Sequence, residues 1–399
     1  MHDLINDLAK SISREFYLRL ENDKPNGVTK KTRHLSYYRA NIDASKKFEI
    51  PSKAKGLRTF LGERWLSFLW CEYNDIVKMI DLDLFQKFKC FRVLSFSGKN
   101  IRELPVSIGN LKHLRYLNIH NTRIKHLPNS LCNLLYNLQT LIFSPYITEL
   151  PTNMGKLINL RHLNNSESKM KKMPPQMGKM KNLIKLPIFV MGKHDGSSIS
   201  ELGKLQHLLG KLSILNLENV HCINKDTMEV LLKDKQDLSK LELKWERGHG
   251  TEDSEKERNV LEQLCPHTKL NSLTIEHYEG TSFPNWLGDC SFSNMVSIVL
   301  RNCKYCFSLP PFGQLHALKE LKIEGFNRLL GVGHEFYGND SSTIKPFRSL
   351  KYLSFKNMQE WQEWIIFEDE VFSSSMASHK LLPQAKQEFA QSTSLFDQT

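Results

Sequence analysis

The stretch LRYLNIHNTRIKHLP, residues 114–128, decides the fold. It opens with leucines spaced L-x-x-L, continues with apolar residues at every second position, and closes with I-x-x-L-P. A similar pattern occurs in three other stretches: FRVLSFSGKNIRELP at 91–105, LQTLIFSPYITELP at 138–151 and LRHLNNSESKMKKMP at 160–174. The second leucines of the four stretches are 23, 24 and 22 residues apart, so the chain contains an internal repeat.

Less regular units continue the repeat towards the C-terminus. We place their anchoring residues at Leu186, Leu215, Leu241, Leu273, Ile298, Leu321 and Leu353. A period of about 20–29 residues with leucines in this spacing is typical of leucine-rich repeats. The sequence therefore predicts an α/β leucine-rich-repeat solenoid, with a curved parallel sheet on its concave face and short helices and loops on its convex face.

The alternation within the repeat determines which side chains are buried. Successive side chains of a strand point to opposite faces, so Leu117 is expected to point inward and Asn118 outward. The proline that follows each strand region, such as Pro128, lacks an N–H and fixes φ, which suits a bend where the ladder of hydrogen bonds stops. A short helix or 3₁₀ turn is expected after it, capped in two of the units by Ser107 or Asn153.

We divide the chain into four regions: a helical N-terminal remnant at 1–32, atypical first repeats at 33–90, the leucine-rich-repeat domain at 91–372, and a flexible tail without the repeat at 373–399. In the first region, apolar residues on one face predict a helix that runs to about Leu20. In the second region, we expect strands at 33–39 and 57–61. The composition of the tail is that of a segment without a packed core.

The composition excludes several classes of protein. The formal net charge is +12, but the basic residues are spread along the chain, so the charge is only a weak indication of an acidic partner, and we expect no nucleic acid. Eight cysteines in 399 residues do not form the dense framework of small secreted domains, which favours a cytoplasmic location. No signal peptide is recognisable, and no apolar run reaches the ~20 residues of a membrane span.

No motif for catalysis or metal binding stands out. The sequence contains no phosphate-binding loop G-x-x-x-x-G-K-[ST], no G-x-S-x-G and no H-E-x-x-H. The single C-x-x-C, formed by Cys303 and Cys306, has no second pair with which to hold zinc. We interpret Cys303 as a small inward group of the repeat that can bond the neighbouring turn. The sequence therefore predicts no catalytic residue, no metal site and no enzyme.

The outward positions of the predicted strands are chemically diverse, whereas the inward positions are uniformly aliphatic. This contrast favours a surface that recognises a protein, although a merely solvated face would look similar. The candidate partner-binding residues on the concave face are Asn118, His120, Asn164, Glu218, Glu242, Lys244, Glu276, Arg301, Lys322, Glu324 and Lys356.

Several longer runs carry a family resemblance: LPVSIGNLKHLRYLNI at 104–119, FVMGKHDGSSISELGKLQHLLGKLSILNLENV at 189–220, FPNWLGDCSFSNMVSIVLRNC at 283–303 and CFSLPPFGQLHALKELKIEGF at 306–326. Over roughly residues 1–372 the chain resembles plant intracellular nucleotide-binding leucine-rich-repeat disease resistance proteins of the coiled-coil class. In that family an M-H-D motif ends the nucleotide-binding module, in a winged-helix subdomain, and here Met1, His2 and Asp3 match it. The resemblance implies that His2 and Asp3 are the remnant of a nucleotide contact.

The family also has a coiled coil and a phosphate-binding loop upstream, which this sequence does not contain. We therefore expect the chain to be the C-terminal part of such a protein, with both ends cut and with no cofactor of its own. ADP or ATP would bind only in the full-length family members. In the family the histidine touches the β-phosphate of ADP, and the aspartate helps to hold the resting state.

The resemblance implies a function in plant defence. The repeats would recognise a pathogen effector or a guarded host protein, and a resistance-protein nucleotide-binding domain is a further possible partner. One alternative is that the chain is a fragment of an ADP/ATP-binding switch whose nucleotide-binding part is missing from it. A second alternative, an extracellular receptor ectodomain, is disfavoured by the lack of a signal peptide and by repeats of the type L-P-x-x-I-G rather than L-x-G-x-I-P.

Overall fold

The computed structural model describes residues 12–13, 15–21, 28–38, 53–63, 84–98, 101–193, 197–220, 232–248, 254–338 and 345–364. The chain divides into two compact units, Met1–Ser197 (unit 1) and Ser198–Thr399 (unit 2). The sequence analysis placed no boundary at this point, because the leucine repeat continues across it.

Unit 1 is built around a parallel sheet whose strands lie in chain order. The strands of this sheet are β1 (Tyr17–Glu21), β2 (His34–Tyr38), β3 (Thr59–Glu63), β4 (Val93–Ser95), β5 (Tyr116–Asn118), β6 (Thr140–Ile142) and β7 (His162–Asn164). A further strand of unit 1, β8 (Ile188–Val190), lies outside this sheet. Its described helices are α1 (Leu84–Lys87), α2 (Asn129–Leu134) and the 3₁₀ segments Val106–Asn110, Met154–Lys156 and Met177–Lys179. Chain order and parallel pairing are what stacked repeats produce, because each repeat contacts only its neighbours.

The predicted anchors of unit 1 lie side by side in the core. Leu94 pairs with Leu117, Leu117 with Leu141, and Leu141 with Leu163. All four side chains are fully buried, as is Ile119. Burying an aliphatic side chain of this size contributes ~1.5–3 kcal/mol, so this row supplies a large part of the stability of the unit.

The helix predicted to run to about Leu20 ends earlier: Ile12 and Ser13 are helical, but the segment from Tyr17 on is not. Tyr17–Glu21 forms strand β1, which pairs in register with β2, and not the end of a helix. Leu18 stands beside Leu35, and the alternation Y-L-R-L-E fits a strand with one buried face. The strands predicted at 33–39 and 57–61 are confirmed as β2 and β3. The predicted helix at 1–11, including His2 and Asp3, and the tail at 373–399 lie outside the described residues.

Unit 2 contains a second run of parallel strands. Its described elements are α3 (Ile199–Gly203), β9 (Gly210–Leu215), β10 (Leu238–Lys244), α4 (Ser254–Gln263), β11 (Ser272–Glu276), β12 (Ser297–Arg301), β13 (Glu320–Glu324), β14 (Gly331–Val332), β15 (Tyr352–Lys356) and β16 (Glu363–Trp364), with 3₁₀ segments at Leu217–Asn219, Phe312–Gln314 and His334–Phe336. Strands β9, β10, β11, β12, β13 and β15 lie side by side in that order, and β14 pairs with β16.

One anchor of unit 2 is placed differently from the prediction. Leu241, Leu273, Ile298, Leu321 and Leu353 are in register, as expected. In β9, however, Leu212 pairs with Leu241, whereas Leu215 pairs with Lys244. The motif LSILNL offers leucines at both positions, and the structure buries Leu212 while Leu215 is only half-buried. The inward register of this repeat is therefore three residues earlier than predicted.

Most strands of unit 2 end in the same backbone conformation. The residue that directly follows β9, β11, β12, β13 or β15 has a positive φ: Asn216, His277, Asn302, Gly325 and Asn357. Asparagine and histidine tolerate this left-handed region better than most residues with a Cβ, and glycine adopts it without steric cost. The left-handed residue turns the chain out of the sheet, which is why the strands stop where they do.

Asparagines that the sequence analysis missed connect successive repeats of unit 1. The amide groups of Asn137, Asn159 and Asn182 each donate to a backbone carbonyl of the preceding repeat, at 2.9 Å. The predicted caps are wrong: Asn153 precedes a 3₁₀ segment without capping it, and its amide group donates to the side chain of Asn133 at 2.8 Å. Ser107 lies inside a 3₁₀ segment. These bonds hold consecutive repeats in register.

Candidate functional site

A depression on the outward face of the unit 1 sheet gathers three of the predicted site residues. Asn118, His120 and Asn164 line a cavity of about 270 Å³, together with Ile142, Phe143, Asn165, Ser166, Glu167 and Ser168. We call it the polar pocket. It lies at the C-terminal ends of β5, β6 and β7, where the turns after the strands form one wall.

The two asparagines of the polar pocket are held by their side-chain oxygens, which leaves their Nδ2 groups free for a ligand. Asn118, Ile142 and Asn164 occupy the same position on three adjacent strands. The side-chain oxygen of Asn118 accepts from the backbone N–H of His120 at 2.9 Å, and that of Asn164 accepts from the Ser166 hydroxyl at 2.9 Å. Among the described residues neither Nδ2 group has a hydrogen-bond partner. Both are therefore available as donors to a ligand.

The wall of the polar pocket contains a hydrogen bond between side chains that the sequence analysis missed. His120 Nε2 lies 2.9 Å from Glu167 Oε2, and the two side chains are 30% and 63% exposed. Glu167 follows β7 in an irregular segment, so no strand pattern pointed to it. The neighbouring Asn165 is buried, donates to the carbonyl of Ile188 at 2.9 Å and accepts from its N–H at 3.1 Å. This clamp fixes the segment that carries Glu167.

The predicted charged residues of unit 2 form a row of alternating sign. Lys244, Glu276, Arg301, Glu324 and Lys356 stand side by side on β10, β11, β12, β13 and β15, and we call them the charged row. Lys244 Nζ lies 3.1 Å from Glu276 Oε2. Arg301 lies 3.0 Å from Glu276 Oε1 and 3.7 Å from Glu324 Oε2. The four side chains from Lys244 to Glu324 therefore satisfy one another across the strands.

Glu242 is the most strongly held of the predicted residues. Its carboxylate lies 2.7 Å from Lys211 Nζ, accepts from the Ser213 hydroxyl at 2.8 Å, and lies 3.5 Å from the amines of Lys240 and Lys244. Burial alone would raise the pKa of Glu242, but the hydrogen bonds from Lys211 and Ser213, with the charge of Lys244, lower it to about 2. Lys211 and Ser213 were missed because the anchor of β9 was placed at Leu215.

One further predicted residue, Lys322, has local partners. Lys322 forms an ion pair with Glu320 and lies 5.0 Å from the centre of the Tyr352 ring. Hydrogen bonds from Lys322 and from the Ser297 hydroxyl, the latter at 2.7 Å, lower the pKa of the Glu320 carboxyl. These contacts extend the network of the charged row to its neighbouring positions.

Glu218 is not on the sheet. The prediction placed it at an outward strand position, but β9 ends at Leu215, and Glu218 lies in the 3₁₀ segment Leu217–Asn219. The left-handed conformation of Asn216 turns the chain before Glu218 is reached. Its carboxylate accepts from the backbone N–H of Glu246 at 2.9 Å, which gives it a structural role.

The cysteine pair has the buried setting that the sequence suggested. Cys303 and Cys306 are free thiols with no exposed surface. Both thiols reach the neighbouring repeat: that of Cys303 has a backbone hydrogen bond with Tyr278, and that of Cys306 donates to the carbonyl of Gly280 at 3.0 Å. Burial raises the pKa of Cys303 to about 12 and that of Cys306 well above its usual range. In the described part of the chain, no three His, Cys, Asp or Glu side chains are grouped for metal binding.

The comparisons with known proteins agree with this architecture. The family described as R13L1/DRL21 LRRs matches residues 199–326, within unit 2. The putative disease resistance protein At3g14460 of Arabidopsis thaliana is 44% identical over 93% of this chain and 27% of its own length. The putative disease resistance RPP13-like protein 1 of the same plant is 42% identical over 92% of this chain and 36% of its length.

The homologues of this chain are plant disease resistance proteins. A third, the putative disease resistance protein RGA1 of Solanum bulbocastanum, is 35% identical over 90% of this chain and 33% of its own length. The chain therefore spans between 27% and 36% of the length of these three relatives. The functional domain of InlJ from Listeria monocytogenes, a solved structure, aligns with a TM-score of 0.49 and 13% identity, over 86% of this chain and 68% of that one.

The comparisons and the fold agree on a leucine-rich-repeat solenoid. In the described residues, no helix has the length and apolar character needed to cross a bilayer. The predicted roles of the site residues stay predictions, and so does the nucleotide contact of His2 and Asp3. The structure adds one distinction that bears on them: the polar pocket has unused donors, whereas the charged row is internally paired.

Proposed function

We propose that this chain is the ligand-recognising repeat region of a plant disease resistance receptor, cytoplasmic and without enzymatic activity. Its ligand is a protein, either a pathogen effector or a host protein that the receptor guards. The observation that carries the proposal is the polar pocket, in which the oxygens of Asn118 and Asn164 are fixed and their amide groups have no partner among the described residues.

The spacing in the polar pocket suits an extended segment of polypeptide. Asn118 and Asn164 are separated by one strand, so their backbones lie ~9.6 Å apart, which is about three residues of extended chain. Each amide group can donate to a main-chain carbonyl of the ligand. Ile142, which stands between them, offers an apolar contact for the intervening side chain. The pocket would thus read a short peptide segment by its backbone and one side chain.

The charged row is less suited to be the main contact. A charged partner group that binds Lys244, Arg301 or Glu276 has to break an ion pair that is already formed. It then has to replace the lost contact for both members of that pair. Breaking a partly buried ion pair costs free energy, so a partner group that binds there gains little net affinity. The amide groups of the polar pocket lose only water when a ligand binds. We therefore assign the charged row a structural role in the proposal.

The homologues support the proposed role in plant disease resistance. Proteins named for disease resistance match this chain over 90% to 93% of its length. Recognition of an effector or a guarded protein, and contact with a resistance-protein nucleotide-binding domain, follow from the resemblance and form part of the proposal. The polar pocket supplies a specific place at which the first of these contacts can be tested.

The test begins with a displayed library of random peptides, selected on the purified chain. Enriched peptides are titrated by calorimetry against the original chain and against Asn118→Leu and Asn164→Leu. Each substitution should weaken binding about tenfold, because a buried peptide carbonyl loses its donor. The matched control is Asn110→Leu, an exposed asparagine of the 3₁₀ segment Val106–Asn110. A further variant, Arg301→Gln, tests the charged row. The assignment of the pocket would be overturned if Asn118→Leu and Asn164→Leu bound the enriched peptides as well as the original chain while Arg301→Gln bound them more weakly.

A further inference from the structure

The turn after β7 gives the polar pocket a wall that offers only hydrogen-bond acceptors. The hydroxyl of Ser166 donates to Asn164 Oδ1 at 2.9 Å, and the hydroxyl of Ser168 donates to the carbonyl of Asn165 at 2.8 Å. A hydroxyl has one proton, so both serine oxygens can only accept from a ligand. The ionised carboxylate of Glu167, which lies between them in the sequence, is also an acceptor. A ligand group that binds this wall therefore has to be a donor.

The carboxylate of Glu167 has one oxygen in use and one available. Its Oε2 lies 2.9 Å from His120 Nε2, and its Oε1 has no hydrogen-bond partner among the described residues. The side chain is 63% exposed, so a ligand can reach it. No lysine or arginine of the described part of the chain forms an ion pair with Glu167, whereas Glu242 and Glu276 each lie beside a lysine. Glu167 can therefore bind a cation without first giving up another.

Glu167 also determines the charge of the polar pocket. The other lining residues are asparagines, serines, His120, Ile142 and Phe143, and none of them is a lysine or an arginine. While the histidine is neutral, the lining thus carries a negative charge with no positive charge to offset it. Such a lining attracts a cationic group and repels a carboxylate.

The acceptors of this wall are in place before a ligand binds. Asn165 is buried and forms two hydrogen bonds with the backbone of Ile188, at 2.9 and 3.1 Å. The N–H of Ser168 donates to the carbonyl of Asn165 at 3.0 Å, which closes the turn around Glu167. Groups that are already ordered lose less conformational freedom on binding, so more of the contact energy appears as affinity.

We propose that the polar pocket selects a peptide segment containing an arginine, whose guanidinium binds Glu167 and the hydroxyl oxygens of Ser166 and Ser168. This inference rests on the proposed function and deepens it by naming a residue that the ligand contains. A guanidinium has five N–H donors and no acceptor, which complements a wall made of acceptors. Its planar fork can bond both oxygens of the carboxylate. Lysine carries the same charge but lacks the fork, so it should bind more weakly.

The position of the arginine in the ligand follows from the strands beneath it. Glu167 belongs to the same repeat as Asn164, and Ile142 is the partner of Asn164 on the adjacent strand. Adjacent strands are ~4.8 Å apart, which is about one or two residues of extended chain. The ligand should therefore carry its arginine about one or two residues from the residue that covers Ile142.

The test selects displayed random peptides in parallel on the original chain, on Glu167→Gln and on Glu149→Gln. Glutamine keeps an oxygen that can accept from His120, so Glu167→Gln removes the charge and retains an acceptor in the wall. Glu149 is exposed and lies outside the pocket lining, so its variant is a control with the same change in net charge. Enriched peptides are then synthesised with arginine, lysine or citrulline at the selected position and titrated by calorimetry. Citrulline has nearly the shape of arginine without its charge.

We expect arginine to be enriched at one position on the original chain and on Glu149→Gln, and not on Glu167→Gln. Citrulline should weaken binding to the original chain about fivefold at low salt, lysine should weaken it less, and citrulline should weaken binding to Glu167→Gln by less than about twofold.

Two groups of results distinguish this inference from the function on which it rests. It would be overturned alone if the enriched peptides depended on Asn118 and Asn164 but contained no arginine, or if citrulline weakened binding equally in the original chain and in Glu167→Gln. Equal enrichment of arginine on Glu167→Gln would also overturn it alone. If no peptide were enriched, or if the enriched peptides bound Asn118→Leu and Asn164→Leu as well as the original chain, both the inference and the proposed function would be overturned.

Discussion

His120 and Glu167 form a side-chain hydrogen bond of 2.9 Å although 47 residues separate them in the sequence. The pair links the turn after β5 to the turn after β7, two repeats further on, and so closes the polar pocket along one side. Both side chains are partly exposed, at 30% and 63%. An exposed pair of this kind contributes little to stability, so its main effect is on the shape of the pocket.

We predict that Glu167→Ala lowers the free energy of unfolding by less than ~1 kcal/mol. Asn165→Ala should cost more, about 1–3 kcal/mol, because it leaves the backbone N–H and carbonyl of Ile188 without their partner. Urea unfolding of both variants, monitored by circular dichroism, makes the comparison. A larger loss in Glu167→Ala than in Asn165→Ala would show that the bond between His120 and Glu167, and not the buried hydrogen bonds of Asn165, holds this wall.

The pKa of Glu242 predicts an acid-sensitive contribution to the stability of unit 2. Its pKa of about 2 in the folded chain lies below the value of ~4.3 for an unfolded glutamate, so the stabilisation is complete above about pH 4 and is lost as pH falls towards 2. Glu242→Gln should lose on the order of 2 kcal/mol at pH 7 and show a flatter dependence on pH between 4 and 2.

The measurement is urea unfolding at a series of pH values, with Glu360→Gln as the control because Glu360 is exposed. An unchanged slope between pH 4 and 2 in Glu242→Gln would mean that the carboxylate is not held as its contacts with Lys211 and Ser213 indicate.

The left-handed residues at the strand ends predict a large loss of stability for one substitution and almost none for another in the adjacent repeat. Gly325 has φ +73°, and a Cβ added there would lie 2.5 Å from Asn302 Oδ1, so Gly325→Ala should cost about 1–2 kcal/mol. Asn302 already has φ 57°, so Asn302→Gly should change the stability by less than ~0.5 kcal/mol. Thermal unfolding measures both, and a larger loss from Asn302→Gly would contradict the account of how these strands end.

The buried thiols predict an order of reactivity. Cys90 and Cys290 are exposed, whereas Cys303 and Cys306 are buried and their pKa values are raised by burial. Under native conditions iodoacetamide should modify Cys90 and Cys290 first, because the thiolate is the reactive form. Mass spectrometry of the digested chain locates the label. Early labelling of Cys303 or Cys306 would favour a redox role for the C-x-x-C pair over the structural one.

The repeat and its core could be predicted because burial repeats at a fixed period, so Leu94, Leu117 and Leu141 are recognisable without any tertiary information. Leu215 was assigned wrongly because LSILNL contains leucines three residues apart, and only pairing with Leu241 distinguishes them. The helix predicted to about Leu20 failed because a short segment with apolar residues at both spacings can form either structure. Only the pairing of β1 with β2 decides between them.

A site residue could be predicted when it lies on a strand of the repeat, and not when it lies in an irregular turn. Asn118 and Asn164 were found because they occupy outward strand positions, but Glu167 comes from an irregular turn whose path the sequence does not specify. The sequence also contains a pattern from which the ion pairs of the charged row could have been predicted. Once the repeats are aligned, Lys244, Glu276 and Arg301 alternate in sign at one position, which predicts ion pairs between neighbouring strands.

The central claim is that the polar pocket recognises the ligand while the charged row and Glu242, which contacts Lys244 of the row, support the fold. The most direct test measures peptide affinity and unfolding free energy on two double variants, Asn118→Leu/Asn164→Leu and Glu242→Gln/Arg301→Gln. The first should bind a selected peptide about a hundredfold more weakly and lose about 1 kcal/mol of stability, because the His120 N–H loses its acceptor. The second should lose ~2 kcal/mol or more while keeping its affinity within about twofold. The reverse pattern, with binding lost in the charged variant and kept in the pocket variant, would contradict the claim.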